Sequence, residues 1–290
     1  MNTIPYLLTT VLTLLVLRLP LSSPFFQEQQ ESFYAQSARC VIRLEHKEEV
    51  KKEGQTNPTT QRVWDGTGFF VQTAEALYVV TASHVAKKDY DLHARVPVLL
   101  PVTGKVQVME LRLPRERWVH HPQVGSASTR GVDVAVMRIP QLPIGQLVVL
   151  QYCPQNCPEK AFNQLDKDPE PPLQVMVFGF PLDIGLQLKE PRPMGRQGIV
   201  ALRADEEFIQ VEGKFAERRA FLVDAKIFPG NSGSPIVAIP PLSDRVHLVG
   251  LVIAANPNLD FAVAEPVSRI RETVDRAKNE PADFEAWYRF

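Results

Sequence analysis

Short apolar, β-branched runs alternate along this chain with stretches rich in glycine, proline and charge. Such runs predict strands at residues 40–44, 63–71 and 77–81. Residues 95–100 and 105–113 alternate apolar with polar positions, as half-buried antiparallel strands do. The run VDVAVMRI at 132–139 reads as a buried strand with Asp133 near its start. Further strands are predicted at 174–180, 198–202, 208–211, 220–223, 246–255 and 261–264. Between them, 45–61 reads as a charged loop, 118–131 as a loop carrying His120 and His121, and 140–172 as an irregular connection. Only near the end does the period change: Val267, Ile270 and Val274 predict a helix from about Pro266 to Lys278. The tail beyond it, with Phe284, Trp287 and Tyr288, is expected to pack against the body. Many strands, one late helix and a mid-chain break predict an all-β protein of two barrel-like halves, without internal repeats. The expected boundaries are 39–140 for the first half, 141–172 for the connection, and 173–290 for the second half with helix and tail.

The N-terminus departs from this pattern. Residues 4–17 are almost wholly apolar, too few for a comfortable membrane span and suited to a signal-peptide core. No basic residue precedes the run, Arg18 follows it, and Ala35-Gln36-Ser37 lies far downstream as a cleavage site. The expectation is export to the periplasm or medium, with 1–38 a signal peptide or an uncleaved anchor plus tether. A buried helix is the plainer alternative. The net charge of -1 excludes an electrostatic case for nucleic acid or an anionic membrane surface. Cys40, Cys153 and Cys157 are the only cysteines. Cys153 and Cys157 form a local disulfide or remain thiols, and no nearby histidine completes a metal site.

Candidate chemistry centres on FPGNSGSPIV, residues 228–237. Two glycines and two prolines around Ser232 prescribe a tight turn between buried segments. A serine held there can aim its hydroxyl and neighbouring backbone N–H groups at one point, as acyl transfer requires. It needs a base, and a carboxylate to orient that base. Of six histidines, His84 alone leaves an apolar strand into a small-residue segment. Asp133 lies among valines, where an unpaired carboxylate costs several kcal/mol. Taken alone, Asp133 reads as a turn cap. The order His84, Asp133, Ser232 gives it a second reading, as the acid of a triad spread over both halves. The GNSGS turn is not a G-x-S-x-G elbow, and only His247 follows Ser232, so an α/β-hydrolase arrangement does not fit.

The segments GTGFFV, YVVTASHVA, VDVAVMRI, VFGFP, GRQGIVAL, VDAKIFPGNSGSPIV and FAVAEPVSRIRETV occur in this order. In them the chain resembles the trypsin-like serine peptidases, and among these their HtrA/Deg-like bacterial branch. The resemblance implies two antiparallel six-stranded β-barrels, an active site in the cleft between them and a C-terminal helix. It implies Ser232 as nucleophile, His84 as general base and Asp133 as its orienter, with the N–H groups of Gly230 and Ser232 as oxyanion hole. The implied activity is endopeptidase cleavage of proteins or peptides without cofactor or metal. The alternative is a protease-fold scaffold that no longer cuts. Lys226 falls at the base of the primary substrate pocket, with Ala254, Ala255 and Ala262 as walls. An acidic or a small residue is the implied preference, unless Lys226 turns out to solvent. Ser234 replaces the second glycine of the usual GNSGGP, Ser83 replaces an alanine, and Asn231 replaces the aspartate of zymogen-type trypsins. Activation by a freed N-terminus is therefore not expected, nor is a PDZ domain after the final helix.

Overall fold

The computed structural model describes residues 37–38, 40–51, 57–73, 76–99, 106–123, 131–139, 169–181, 192–203, 209–211, 214–216, 220–239, 247–256, 260–280 and 288–289. The first half comprises β1 (Val41–Val50), β2 (Thr59–Gln72), β3 (Leu77–Thr81), β4 (Leu92–Leu99), β5 (Val106–Leu113), β6 (Val119–His120) and β7 (Ala135–Ile139). A single helical turn, Ser83–Ala86, follows β3. The second half comprises β8 (Leu173–Gly179), β9 (Met194–Arg203), β10 (Ile209–Val211), β11 (Lys214–Ala216), β12 (Phe221–Asp224), β13 (Pro235–Ala238), β14 (His247–Asn256) and β15 (Phe261–Pro266). The C-terminal helix, Val267–Ala277, comes next, and β16 (Tyr288–Arg289) ends the order.

In the second half, six strands close a barrel in the order β12-β15-β14-β13-β8-β9, each pair antiparallel. The first half is an eight-stranded sheet, β16-β5-β4-β1-β2-β3-β7-β6, in which six longer strands are flanked by the two-residue β16 and β6. The tail adds backbone pairing to β5, with Tyr288 opposite Leu111. Cys153, Cys157, Phe284, Trp287 and the N-terminal apolar run lie outside the described residues. Among the described residues, no helix is long and apolar enough to cross a membrane, and no cluster of metal-type side chains forms.

Three expectations need correction. Val119 and His120, expected within a loop at 118–131, pair with β7 as the short strand β6. Residues 45–50 and 59–61 are strand rather than loop, because their charges pair across the sheet. Arg62 donates to Glu45 Oε1 at 2.6 Å, and Arg62 and Lys47 both bond Glu110 on β5. Burial raises the Glu110 pKa, but these two cations outweigh it and hold the carboxyl at about 2. The strand expected from Val132 begins only at Ala135. Asp133 precedes it because its backbone bonds elsewhere: its N–H donates to Glu265 Oε1 (2.9 Å) and its carbonyl accepts from Ser83 N–H (3.2 Å).

The C-terminal helix follows the second barrel, yet its buried face of Val267, Ile270, Val274 and Ala277 joins the core of the first half. Its Glu272 accepts from His121 Nε2 at 2.7 Å and from Arg269 at 3.0 Å. Burial holds the His121 pKa below its ordinary value despite that carboxylate.

Candidate active site

Proline and glycine shape the turn around Ser232. Asn231 N–H donates to Phe228 O at 3.1 Å, closing a four-residue turn with Pro229 second and Gly230 third. Gly230 has φ +97°, the positive value that a type II turn demands at that position. Gly233, at φ +84°, then bends the chain into β13. A Cβ on Gly233 would lie 2.0 Å from Thr67 O, so only glycine lets the turn approach β2 this closely. Of the N–H groups from Gly230 to Ser234, three are satisfied: Asn231 on Phe228, Gly233 on Val252 at 2.8 Å, and Ser234 on Asn231 at 2.8 Å. Among the described residues, the N–H groups of Gly230 and Ser232 make no hydrogen bond. Ser234 is fully buried and directs its hydroxyl to Asn231 Oδ1 (3.4 Å) beneath the turn.

His84 sits in the helical turn after β3. Its Nδ1 lies 2.6 Å from Asp133 Oδ2, and its backbone N–H donates to Asp133 Oδ1 at 2.8 Å. One carboxylate therefore holds both the ring and the main chain of His84. The ring is half exposed, at 49%, while Ser83 and Val85 on either side are buried. The Ser83 hydroxyl is used by His120 Nδ1 at 2.7 Å. Burial, with help from Lys87, lowers the His120 pKa, and Asp133 opposes this.

The two parts meet across the halves. Thr67 N–H donates to Ser232 O at 2.9 Å. A Cβ on Gly66 would lie 3.0 Å from Val85 and 3.1 Å from Ser232 O, so the residue after His84 and the backbone of Ser232 flank the same glycine. The structure brings His84, Asp133, Ser232 and Gly230 into one region.

A bulge in β2 shapes the wall beside this turn. Leu44 pairs with Gly66 and Glu45 with Trp64, which leaves Asp65 as the extra residue. Trp64 packs against Gly230, where any Cβ would meet Trp64 Cζ2 at 1.3 Å. Asp65 is anchored by His46 Nδ1 at 2.7 Å and by the Tyr90 hydroxyl at 2.5 Å, and Tyr90 stacks on His46 at 4.0 Å. His46 Nε2 faces Glu48 at 2.9 Å. Burial opposes charge on His46, but both ring nitrogens meet carboxylates and the net effect raises its pKa above 6.5. A raised pKa stabilises the fold below the unfolded value of 6.5, and that stability is lost as pH rises through the native pKa. His46→Gln is therefore expected to lower Tm most below pH 6.5, with the deficit shrinking as pH rises through the raised native pKa. Thermal melts on either side of pH 6.5 check it; a deficit independent of pH would show that folding leaves the His46 pKa unchanged.

Three of the four expected pocket residues lie together on neighbouring strands. Ala255 and Ala262 are cross-strand partners, and Ala254 pairs with Val263 beside them. Lys226 is exposed, 3.9 Å from Asp260, with its ammonium 5.9 Å above the Phe228 ring. It turns to solvent and a carboxylate rather than standing alone at the base of a pocket. Arg196 lies 4.7 Å over the same ring.

Sequence reasoning passed over Thr67, Trp64 and Glu265. Glu265, 1% exposed, carried the signal that singled out Asp133, a lone carboxylate in an apolar run. Thr67 stood inside GTGFFV with nothing local to mark it.

A family model described as a trypsin-like peptidase domain matches residues 66–240. The chain matches none of the curated proteins significantly. Solved structures with a similar fold include the HtrA-type protease AlgW with a decapeptide, at 16% identity and TM-score 0.53, covering 87% of this chain and 68% of that one. The active form of the Rv3671c protease from M. tuberculosis aligns at 16% identity and TM-score 0.47, covering 88% and 87%. The serine endoprotease from Yersinia pestis aligns at 15% identity and TM-score 0.46, covering 86% and 66%.

Proposed function

The chain belongs to the trypsin-like peptidase family, and from that premise we propose that it is a serine endopeptidase working through an acyl-enzyme on Ser232. One observation carries the reading: the N–H groups of Gly230 and Ser232 make no hydrogen bond among the described residues, while their neighbours in the turn are all bonded. Two such donors on either side of Asn231, the first on a glycine at positive φ, form a nest for an anion. In the proposed reaction Ser232 Oγ attacks the scissile carbonyl and its proton passes to His84 Nε2. Asp133, bonded to His84 Nδ1 at 2.6 Å, holds the ring in the receptive tautomer and stabilises the imidazolium. The carbonyl oxygen becomes an oxyanion held by the two free N–H groups, each worth about 3 kcal/mol in such sites. Collapse expels the amine, which takes the proton from His84; water then repeats the sequence and frees the acid.

Peptides are the proposed substrate class, a reading supported by family membership and by the decapeptide in the AlgW structure. No cofactor enters the proposed chemistry. Export is proposed from the apolar run at 4–17 alone.

A fluorophosphonate probe tests the reading, since it needs both an activated serine and oxyanion donors. The expected outcome is a single adduct, mapped by peptide mass spectrometry to Ser232. Folded protein that stays unlabelled, or is labelled elsewhere, would overturn the assignment and point to a module that does not cut.

A further inference from the structure

We infer that Thr67, on β2 of the first half, is the positioning residue for the oxyanion turn of the second, an inference that rests on the peptidase reading above. Thr67 is fully buried. Its hydroxyl donates to Gly230 O at 2.7 Å and accepts from Phe180 N–H at 3.2 Å. Its backbone N–H donates to Ser232 O at 2.9 Å, and its carbonyl accepts from the Thr81 hydroxyl at 2.7 Å. One side chain and its own peptide groups thus tie together both carbonyls flanking Asn231, the end of β8, and the strand that leads into His84.

The turn's peptide planes show what this does. The Asn231–Ser232 plane, which carries one donor N–H, has its oxygen on Ser234 N–H at 2.8 Å. The planes before and after it, Gly230–Asn231 and Ser232–Gly233, both have their oxygens on Thr67. The former is also held at its N–H by Phe228 O. Only the Pro229–Gly230 plane, which carries the other donor N–H, is left without a hydrogen bond of its own among the described residues. Glycine adopts either sign of φ readily, so nothing intrinsic to Gly230 selects +97°. Its surroundings must: Trp64 against its Cα and the Thr67 hydroxyl on its carbonyl. A β-branched threonine with both hydroxyl functions bonded has little freedom to release that carbonyl.

Thr67→Val keeps the shape and the backbone bond to Ser232 but removes the hydroxyl, leaving Gly230 O and Phe180 N–H unpartnered. Thr67→Ser keeps the hydroxyl. The readout is the rate of fluorophosphonate labelling at Ser232, with proton NMR of the low-field His84 Nδ1–H resonance as a second signature. Thr67→Val is expected to label about 10- to 100-fold more slowly, short of the 10²–10³ lost with an entire donor. Thr67→Ser is expected to label within about threefold of wild type, and the low-field resonance is expected to persist in both variants. A merely structural Thr67 would not be rescued by serine while His84 and Asp133 stayed bonded. If Thr67→Val does not fold, Thr67→Ala against Thr67→Ser makes the same comparison. Labelling of Thr67→Val, or of Thr67→Ala in its place, at the wild-type rate, or serine as slow as valine, overturns the inference and leaves the peptidase reading standing. Wild type unlabelled at Ser232 overturns both.

Discussion

With His84 replaced by alanine, hydrolysis of a fluorogenic peptide library is expected to slow by about 10⁶-fold, and Ser232→Ala is expected to do the same. The double variant is expected to be no slower than either single one. The expectation follows from the proposed division of labour: in that reading His84 takes the Ser232 proton, so once one partner is gone the other has nothing to do. What remains is the pair of backbone donors at Gly230 and Ser232, which neither substitution touches, and they leave a residual rate about 10³–10⁴ above water. Loss of fold does not compete as an explanation, because the His84 ring is 49% exposed and its removal opens no core cavity. Equal Tm values with activities measured at matched concentrations would establish this. Losses that multiply in the double variant would mean that the two residues act independently, and the triad assignment would fail.

Residue type and order were legible from the chain alone. A serine between glycines, a histidine leaving a strand and a carboxylate among valines are local patterns, and the structure bonds His84 to Asp133 through two separate contacts. The strand at Leu77–Thr81 was equally plain, because a five-residue apolar run rich in β-branched and aromatic residues is too short for a buried helix. The far end of the β1–β2 hairpin was not. Its charges look like loop until Glu110, many residues later, arrives to pair with Lys47 and Arg62. The role of Thr67 and the partner of Glu265 were hidden for the same reason. Each acts on a partner in the other half, and a hydrogen bond from residue 67 to residue 230 leaves no periodicity to detect. The Asp65 bulge is likewise a matter of register between two strands, which neither strand reveals by itself. Chemistry set by side-chain type is readable along the chain, whereas support that comes through space waits for coordinates.

Asp133→Asn is expected to lower kcat by about 10⁴-fold with little change in KM or Tm, and the geometry says why so conservative a change costs so much. Both oxygens of Asp133 are in use, Oδ1 by the His84 backbone N–H at 2.8 Å and Oδ2 by the ring Nδ1 at 2.6 Å. The backbone N–H can only donate, so asparagine must turn its oxygen towards it. The amide NH₂ then faces Nδ1, which has to accept, and the imidazole proton is driven to Nε2. In the proposed mechanism that is the nitrogen that takes the Ser232 proton, so the base would be present and in the wrong tautomer. The Asp133 N–H on Glu265 and its carbonyl on Ser83 are main-chain bonds that the substitution preserves, which is why stability is expected to hold. Steady-state kinetics with thermal melts provide the measurement. Activity within tenfold of wild type would show that Asp133 serves only to anchor the His84 backbone, as the cap of a turn.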